Sequence, residues 1–158
     1  MNAHDIYVGA LLMTIEYIMG GTTTVNTMYH YTPEENEAKA FAHAGLRGVA
    51  DRACCSWRRK DDKRELEDLA KKWHNTANGL IRTSVDPHAP YTVDPEYMKE
   101  LSDTRRELNR KYGSEEAPII WHIHVAETED KPEKRSEGFQ HKTQRWRNGI
   151  LGLAWSLK

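Results

Sequence analysis

Residues 80–125 read LIRTSVDPHAPYTVDPEYMKELSDTRRELNRKYGSEEAPIIWHIHV and decide the fold class. The segment Leu80–Val85 predicts a strand, and Pro118–Val125 predicts a second one. Between them, segment 94–112 opens with Asp-Pro and has apolar residues at helical spacing, which predicts a helix because proline fits a first helical turn. Strand, helix and strand in this order predict two parallel strands joined by a right-handed crossover.

The same alternation continues toward the N-terminus. We predict a helix over Asp5–Met19, a strand over Thr22–Val25, a helix over Glu34–His43, a strand over Leu46–Ala53 and a helix over Arg64–Asn78. Four strands alternating with helices predict an α/β fold. No glycine-rich phosphate motif follows any strand, so a dinucleotide-binding or P-loop fold has no support. A closed barrel of this kind takes about eight strands, which leaves a half-barrel or a smaller fold as alternatives.

Composition limits the function classes. The chain has 158 residues, 38% of them apolar, which suits one domain. Lys and Arg number 23 against 24 Asp and Glu, so no strong field favours binding to nucleic acid or to a membrane surface. The longest apolar stretch, Val8–Met19, is too short for a membrane span, and no leader pattern precedes it. The adjacent Cys54 and Cys55 are the only cysteines, which predicts a reducing, cytoplasmic setting without a disulfide framework.

The C-terminal end differs from the rest of the chain. Residues 134–158 have 6 basic and 1 acidic side chains, whereas residues 1–133 have 17 and 23. The periodicity of the apolar residues also disappears there. We therefore expect a main unit over 1–133 and an atypical tail over 134–158, whose sequence comes from a shifted reading frame and packs poorly on the main unit.

Histidines follow the third and fourth predicted strands, where parallel folds gather their functional groups. His88 lies between two prolines in a stiff loop. Two interpretations remain open: its side chain contacts a ligand, or it caps or hydrogen-bonds the backbone of the turn. His122 and His124 are two residues apart, so both point to one face of a strand. Such a pair can bind a divalent metal; alternatively, both are core histidines whose nitrogens are hydrogen-bonded within the protein. Glu127 is close enough in sequence to act as the acid or base of a metal-activated water.

Two arginines lie at and after the end of the second predicted strand. Arg52 closes that strand, and Arg64 follows the charged run 58–63. From the residues alone, such arginines are ordinarily solvated surface charges. The adjacent cysteines lack a second pair and make a poor zinc site.

Four motifs taken in order resemble a known family. They are GGTTTVN at 20–26, GLR at 45–47, PHAPYT at 87–92 and HIHVAET at 122–128. Over about residues 5–133 the chain resembles the amidohydrolase superfamily, specifically the deaminases acting on 5'-methylthioadenosine, S-adenosylhomocysteine and 5'-deoxyadenosine.

The resemblance implies a (β/α)8 TIM-type barrel, of which this chain would cover about strands 2 to 5. It implies one divalent metal, zinc or iron, that activates water to attack C6 of an adenine ring and release ammonia. By position, His124 would be a metal ligand and Glu127 the catalytic acid/base, with His122 a neighbour only. His88 would hydrogen-bond the substrate, and Arg52 and Arg64 would lie near the 5' substituent of the nucleoside.

The chain also departs from the family pattern. The family's first His-x-His pair and its ribose-binding carboxylate would precede Met1, and its later histidine and aspartate have no counterpart in 134–158. Thr27 occupies a position where the family often has Asp. We therefore expect a fragment of the enzyme that is inactive alone, with metal held only weakly by His124. An open half-barrel exposes its sheet edges, which predicts self-association into a homo-oligomer.

Two other functions remain open at this point. A deaminase or chlorohydrolase of the same superfamily could act on another ring, such as cytosine, guanine or a triazine, because the metal motif does not read the substrate. The third alternative is a non-catalytic α/β module in which the histidines are structural.

Overall fold

A computed structural model of the chain describes residues 2–28 and 35–125. The helices are α1 (Ala3–Met19), α2 (Glu35–Ala44), α3 (Arg59–Trp73) and α4 (Pro95–Tyr112), with a short 3-10 turn at Ser56–Arg58. The strands are β1 (Thr24–Asn26), β2 (Arg47–Ala50), β3 (Ala53–Cys54), β4 (Ile81–Pro87) and β5 (Ile120–Trp121). No helix in these ranges is long and apolar enough to cross a membrane.

Among the described residues, every pairing between two of these strands is parallel. This confirms the predicted α/β class. β1 pairs with β2, and β4 pairs with β2, β3 and β5. Gly48 lies opposite Ile81 and Ala53 lies opposite Asp86, so β2 and β3 meet β4 in one unbroken register. β3 therefore continues the line of β2, and the predicted strand Leu46–Ala53 is interrupted only at residues 51–52.

The helix α3 differs most from its prediction. It begins at Arg59 instead of Arg64, because the charged run 58–63 forms its first turns. It ends at Trp73 instead of Asn78, since Asn75 and Ala77 have positive φ angles that no helix continues through. The fourth predicted strand is also shorter, with only Ile120–Trp121 paired.

Two apolar clusters hold the helices on the sheet. The first joins α3 and α4 to β4 through Leu66, Leu101 and Val85. The second joins α2 to β2 and β4 through Phe41, Ala50 and Ile81. The helix α1 packs on α2, while Val8, Leu12, Ile15 and Met19 are exposed along one side of it.

The start of β4 is fixed by a buried histidine. The Nδ1 of His74 accepts the Thr83 N–H at 3.1 Å, and its Nε2 lies 2.8 Å from the Ala117 carbonyl oxygen. This arrangement needs a neutral ring whose single proton is on Nε2. Burial lowers the pKa of His74, against the opposing effect of the bond to Ala117.

Substitution of glycine by alanine should have opposite effects on stability at two positions, Gly48 and Gly9. A Cβ on Gly48 would overlap the ring of Phe41, which is itself 2% exposed. We expect Gly48→Ala to lower the free energy of unfolding by about 1 to 3 kcal/mol. Gly9, inside α1, has nothing within 4 Å of its Cβ position. Gly9→Ala should raise stability by about 0.5 to 1 kcal/mol. Urea unfolding measures both, and equal effects of the two would contradict the packing described.

His74 predicts a loss of stability in mild acid. Because the folded state binds a proton on His74 less readily than the unfolded chain does, the free energy of unfolding falls once the pH drops below the ordinary histidine pKa of about 6.5. Urea unfolding of the wild type and of His74→Gln, compared between about pH 8 and about pH 5, isolates this contribution. The free energy of unfolding should decrease less with falling pH in the variant than in the wild type. An identical decrease in both proteins would refute this role of His74.

Candidate active site

Three histidines meet at the carboxyl ends of β4 and β5, and we call them the three-histidine cluster: His88, His122 and His124. The His88 and His124 rings lie 5.5 Å apart between centroids, and the His122 and His124 rings lie 5.7 Å apart. Backbone hydrogen bonds align the two segments, with the His124 N–H donating to the His88 carbonyl oxygen at 3.0 Å. The structure thus brings His88 and His124 together, as expected for residues that follow neighbouring parallel strands.

The loop after β4 holds His88 in place. Its N–H donates to the Cys54 carbonyl oxygen at 3.0 Å, which ties it to β3. Its Nδ1 lies 2.9 Å from the hydroxyl oxygen of Thr92, and the Thr92 hydroxyl also lies 3.1 Å from the Ala89 N–H. The hydroxyl of Thr92, directly after the Pro-His-Ala-Pro-Tyr segment, therefore orients the His88 ring.

Buried acids lie beside the three-histidine cluster, and the sequence reasoning missed them. Asp86, at the end of β4, is completely buried, and its Oδ2 lies 3.0 Å from Nδ1 of His122. Asp51, after β2, is also completely buried, and it is close enough to Asp86 to affect the pKa of that carboxyl. The Oγ1 of Thr27, after β1, lies 2.9 Å from Oδ1 of Asp51 and 3.1 Å from Oε2 of Glu37. An acid directly after an apolar strand is the sequence signal that could have found Asp51 and Asp86.

Burial dominates the electrostatics of Asp86. It raises the pKa of this carboxyl well above its usual range, while the polar side chains of Ser84 and Asp51 nearby act in the opposite direction. The nearby Glu37 adds a smaller upward effect through charge repulsion. Burial away from water therefore favours the neutral form of this carboxyl, because a charged group is costly in a dry site.

Arg52 is placed among acids of α3. The whole residue is buried, and its guanidinium lies 2.7 Å from Glu65 and 3.4 Å from Asp62. Asp62 also accepts a hydrogen bond from the Tyr97 hydroxyl. Burial raises the pKa of Asp62, and the bonds to Tyr97 and Arg52 oppose that shift. Since a buried guanidinium requires such partners, this ion pair joins the end of β2 to α3.

The other predicted residues stand apart from the three-histidine cluster. The side chain of Arg64 is 68% exposed on α3, and its nearest acids, Asp61 and Glu65, are 3.8 Å away. Glu127 lies outside the described residues, so its predicted role as acid/base stays a prediction. Within 2–28 and 35–125, no three His, Cys, Asp or Glu side chains form a group that could hold a metal. His124 therefore has no complete ligand set among the residues described.

The comparisons with known proteins agree with the sequence motifs. The amidohydrolase family profile matches residues 1–147. The chain belongs to the amidohydrolase family. The resemblance based on four short motifs is thereby confirmed, and the match runs past the boundary predicted at residue 133.

Several curated relatives are deaminases. A 5-methylthioadenosine/S-adenosylhomocysteine deaminase of Thermoanaerobacter pseudethanolicus is 39% identical over 144 residues, which is 89% of this chain and 30% of that protein. A 5'-deoxyadenosine deaminase of Methanosphaera stadtmanae is 37% identical over 130 residues, or 80% of this chain and 28% of that protein. The chain thus spans about 30% of the length of the relatives it matches.

A solved structure supports the architecture. The crystal structure of an adenosine deaminase from Xanthomonas campestris with bound zinc superposes with a TM-score of 0.68 at 21% identity. The match covers 95% of this chain and 33% of the deaminase. The parallel half-sheet with its helices is accordingly a partial TIM-type barrel, as the fold prediction stated.

The two arginines should differ sharply in their effect on stability. Arg52→Ala leaves buried Asp62 without its cation, and we expect a loss of about 3 to 5 kcal/mol. Arg64→Ala removes an exposed charge with distant partners, and we expect a change within about 0.5 kcal/mol. Urea unfolding of both variants measures the difference. A small effect of Arg52→Ala would mean that its ion pair is not structural.

Proposed function

We propose that this chain is part of a metal-dependent hydrolase that deaminates an adenosine-type nucleoside, and that residues 1–158 alone have no deaminase activity. The carrying observation is the contact between His88 and His124, whose rings lie 5.5 Å apart at the carboxyl edge of the sheet. The curated relatives support the substrate class, since their names specify 5-methylthioadenosine, S-adenosylhomocysteine and 5'-deoxyadenosine.

In this proposal each residue has a separate role. His124 is one ligand of a divalent metal, zinc or iron, which when bound supplies the activated water for attack on C6 of the adenine ring. Glu127 transfers the proton of that water to the ring, and His88 hydrogen-bonds the substrate. Arg52 and Arg64 serve the 5' substituent, for which the exposed guanidinium of Arg64 is better supported than the buried Arg52.

The proposal also includes a setting and an assembly. Cys54 and Cys55 are free and buried, which supports a reducing cytoplasmic environment. The exposed apolar side of α1 supports association into a homo-oligomer, while a small nucleoside is the proposed substrate and nucleic acid and membranes are not proposed partners. The shifted-frame origin of 134–158 lies outside the described residues and stays a prediction.

A segment exchange tests the proposed activity. The segment of the Thermoanaerobacter pseudethanolicus deaminase that matches this chain is replaced by residues 1–147, and ammonia release is measured with 5'-methylthioadenosine, adenosine, cytosine and guanine. We expect turnover of the two nucleosides only. His124→Ala and Glu127→Gln in the chimera should each lower kcat by about 100-fold or more, because the first removes a proposed metal ligand and the second removes the proposed acid/base.

The matched control is His4→Ala, which removes an exposed histidine at the first turn of α1. It should leave turnover unchanged. A folded chimera that turns over no nucleoside, or one that keeps its activity after His124→Ala, would overturn the proposal. The isolated chain should release no ammonia in the same assay, and turnover by it would disprove that part.

A further inference from the structure

Large apolar side chains are exposed at two places in the described ranges. One group lies on α1, and the other follows the carboxyl ends of three strands. We call the second group the apolar rim: it consists of Trp57 after β3, Tyr91 after β4 and Val125 after β5, with exposed fractions of 71%, 52% and 56%. Apolar surface that is open to solvent beside a few convergent polar groups is typical of a ligand-binding site.

Tyr91 contacts the three-histidine cluster directly. Its ring meets the ring of His88 edge-on, with the centroids 5.8 Å apart. The ring of His88 in turn meets that of His124 at 5.5 Å. A ligand that extends from His124 past His88 therefore reaches the half-exposed ring of Tyr91.

The order of the strands gives this contact a direction. The strand β4 pairs with β5 along one edge, and with β2 and β3 along the other. His124 follows β5, whereas the loop that contains Tyr91 is bonded to the chain after β3, because the Ser56 N–H donates to the Thr92 carbonyl oxygen at 3.0 Å. A substrate whose reacting carbon lies at His124 thus has its far end on the β3 side of β4, where this loop lies.

The far end of the proposed substrate is its 5' substituent. The names of the curated relatives specify 5-methylthioadenosine, S-adenosylhomocysteine and 5'-deoxyadenosine. In these nucleosides the 5' carbon bears a thioether sulfur or is a methyl carbon, and it has no hydroxyl. Arg52 and Arg64 are the only residues given above for this end, and a guanidinium suits an anionic group better than a thioether. The substrate therefore requires an apolar partner that the proposal has not yet included.

We propose that the ring of Tyr91 contacts the 5' substituent of the nucleoside and makes the site prefer a 5'-alkylthio group to the 5' hydroxyl of adenosine. Sulfur and methyl groups pack favourably on aromatic rings, whereas a hydroxyl held against a ring loses hydrogen bonds to water. Tyr91 is thus a specificity-determining residue. This role rests on the proposed function, since it requires an adenosine-type nucleoside whose C6 lies at His124.

Two other roles of Tyr91 lead to different results. A ring that stacks on the adenine base stabilises the binding of every adenosine-type nucleoside equally. A phenol that hydrogen-bonds the ribose does the same, and its effect depends on the hydroxyl instead of the ring. Only contact with the 5' substituent changes the preference between nucleosides that differ at that position.

The experiment compares two nucleosides in the chimera described above. The values of kcat/KM are measured with 5'-methylthioadenosine and with adenosine for the unsubstituted chimera, for Tyr91→Ala and for Tyr91→Phe. Tyr91→Ala should lower kcat/KM about 10-fold for 5'-methylthioadenosine, through a higher KM, and less than about twofold for adenosine, as expected for the loss of an apolar contact. Tyr91→Phe keeps the ring and should keep the preference. An unchanged ratio of the two values in Tyr91→Ala, or a lowered ratio in Tyr91→Phe, would overturn the proposal.

Tyr7→Ala is the matched control, because it makes the same substitution at a tyrosine of α1 whose hydroxyl contacts His43, outside the apolar rim. It should leave the ratio unchanged even where it lowers stability, since both nucleosides are measured on the same folded protein. A ratio that falls as far in Tyr7→Ala as in Tyr91→Ala would contradict a specific role of Tyr91.

A binding measurement separates this proposal from the proposed function. If the chimera turns over no nucleoside, the proposed function is overturned, and equilibrium dialysis then gives the Kd of the same chimera for each of the two nucleosides. The chimera should bind 5'-methylthioadenosine more tightly than adenosine, and Tyr91→Ala should reduce that difference. Equal affinities in the unsubstituted chimera, or a difference that Tyr91→Ala leaves unchanged, would refute the role of Tyr91.

Discussion

The buried strand β4 is the constraint on which the other parts of the structure depend. It pairs with β2, β3 and β5, and its residues 83–87 are all buried. A polar side chain in such a strand is costly without an internal partner, because water cannot reach it. Thr83 meets this requirement through His74 at one end of the strand, and Asp86 does so through His122 at the other. The need to satisfy one strand therefore fixes both a structural histidine and a histidine of the candidate site.

How far the sequence predicts this structure depends on the range of the interaction. Local signals were sufficient for α4, where the Asp94-Pro95 start and the Tyr112 end agree with the prediction. They also placed His88 and His124 together, because both follow strands whose ends must share an edge in a parallel sheet. They could not give the contact of Asp86 with His122, since it depends on the register between two strands 36 residues apart in the chain. That register places Ser84 opposite Ile120 and Val85 opposite Trp121.

The charged run 58–63 was misread for a related reason. Its composition is that of a solvated loop, yet Asp62 in its middle is completely buried. Arg52 reaches it from the end of β2, and each charge offsets the cost of burying the other, with help from Glu65 and Tyr97. The composition of the run gives its average polarity, whereas the ion pair depends on one buried residue of the run, Asp62. The helix α3 starts early because its first turn has to present that acid to the sheet.

The two sides of the half-barrel differ in how well their side chains are buried. Around β4 the acids Asp51 and Asp86 are completely buried and the three-histidine cluster is partly buried, whereas β1, within the described residues, pairs only with β2. Beside it, α1 exposes Val8, Leu12, Ile15 and Met19, the last at 83%. In a closed barrel the helices form an outer ring whose outward faces meet water, so an apolar side there is unfavourable unless other protein covers it. The exposed apolar side of α1 is therefore the observation behind the proposed association into a homo-oligomer.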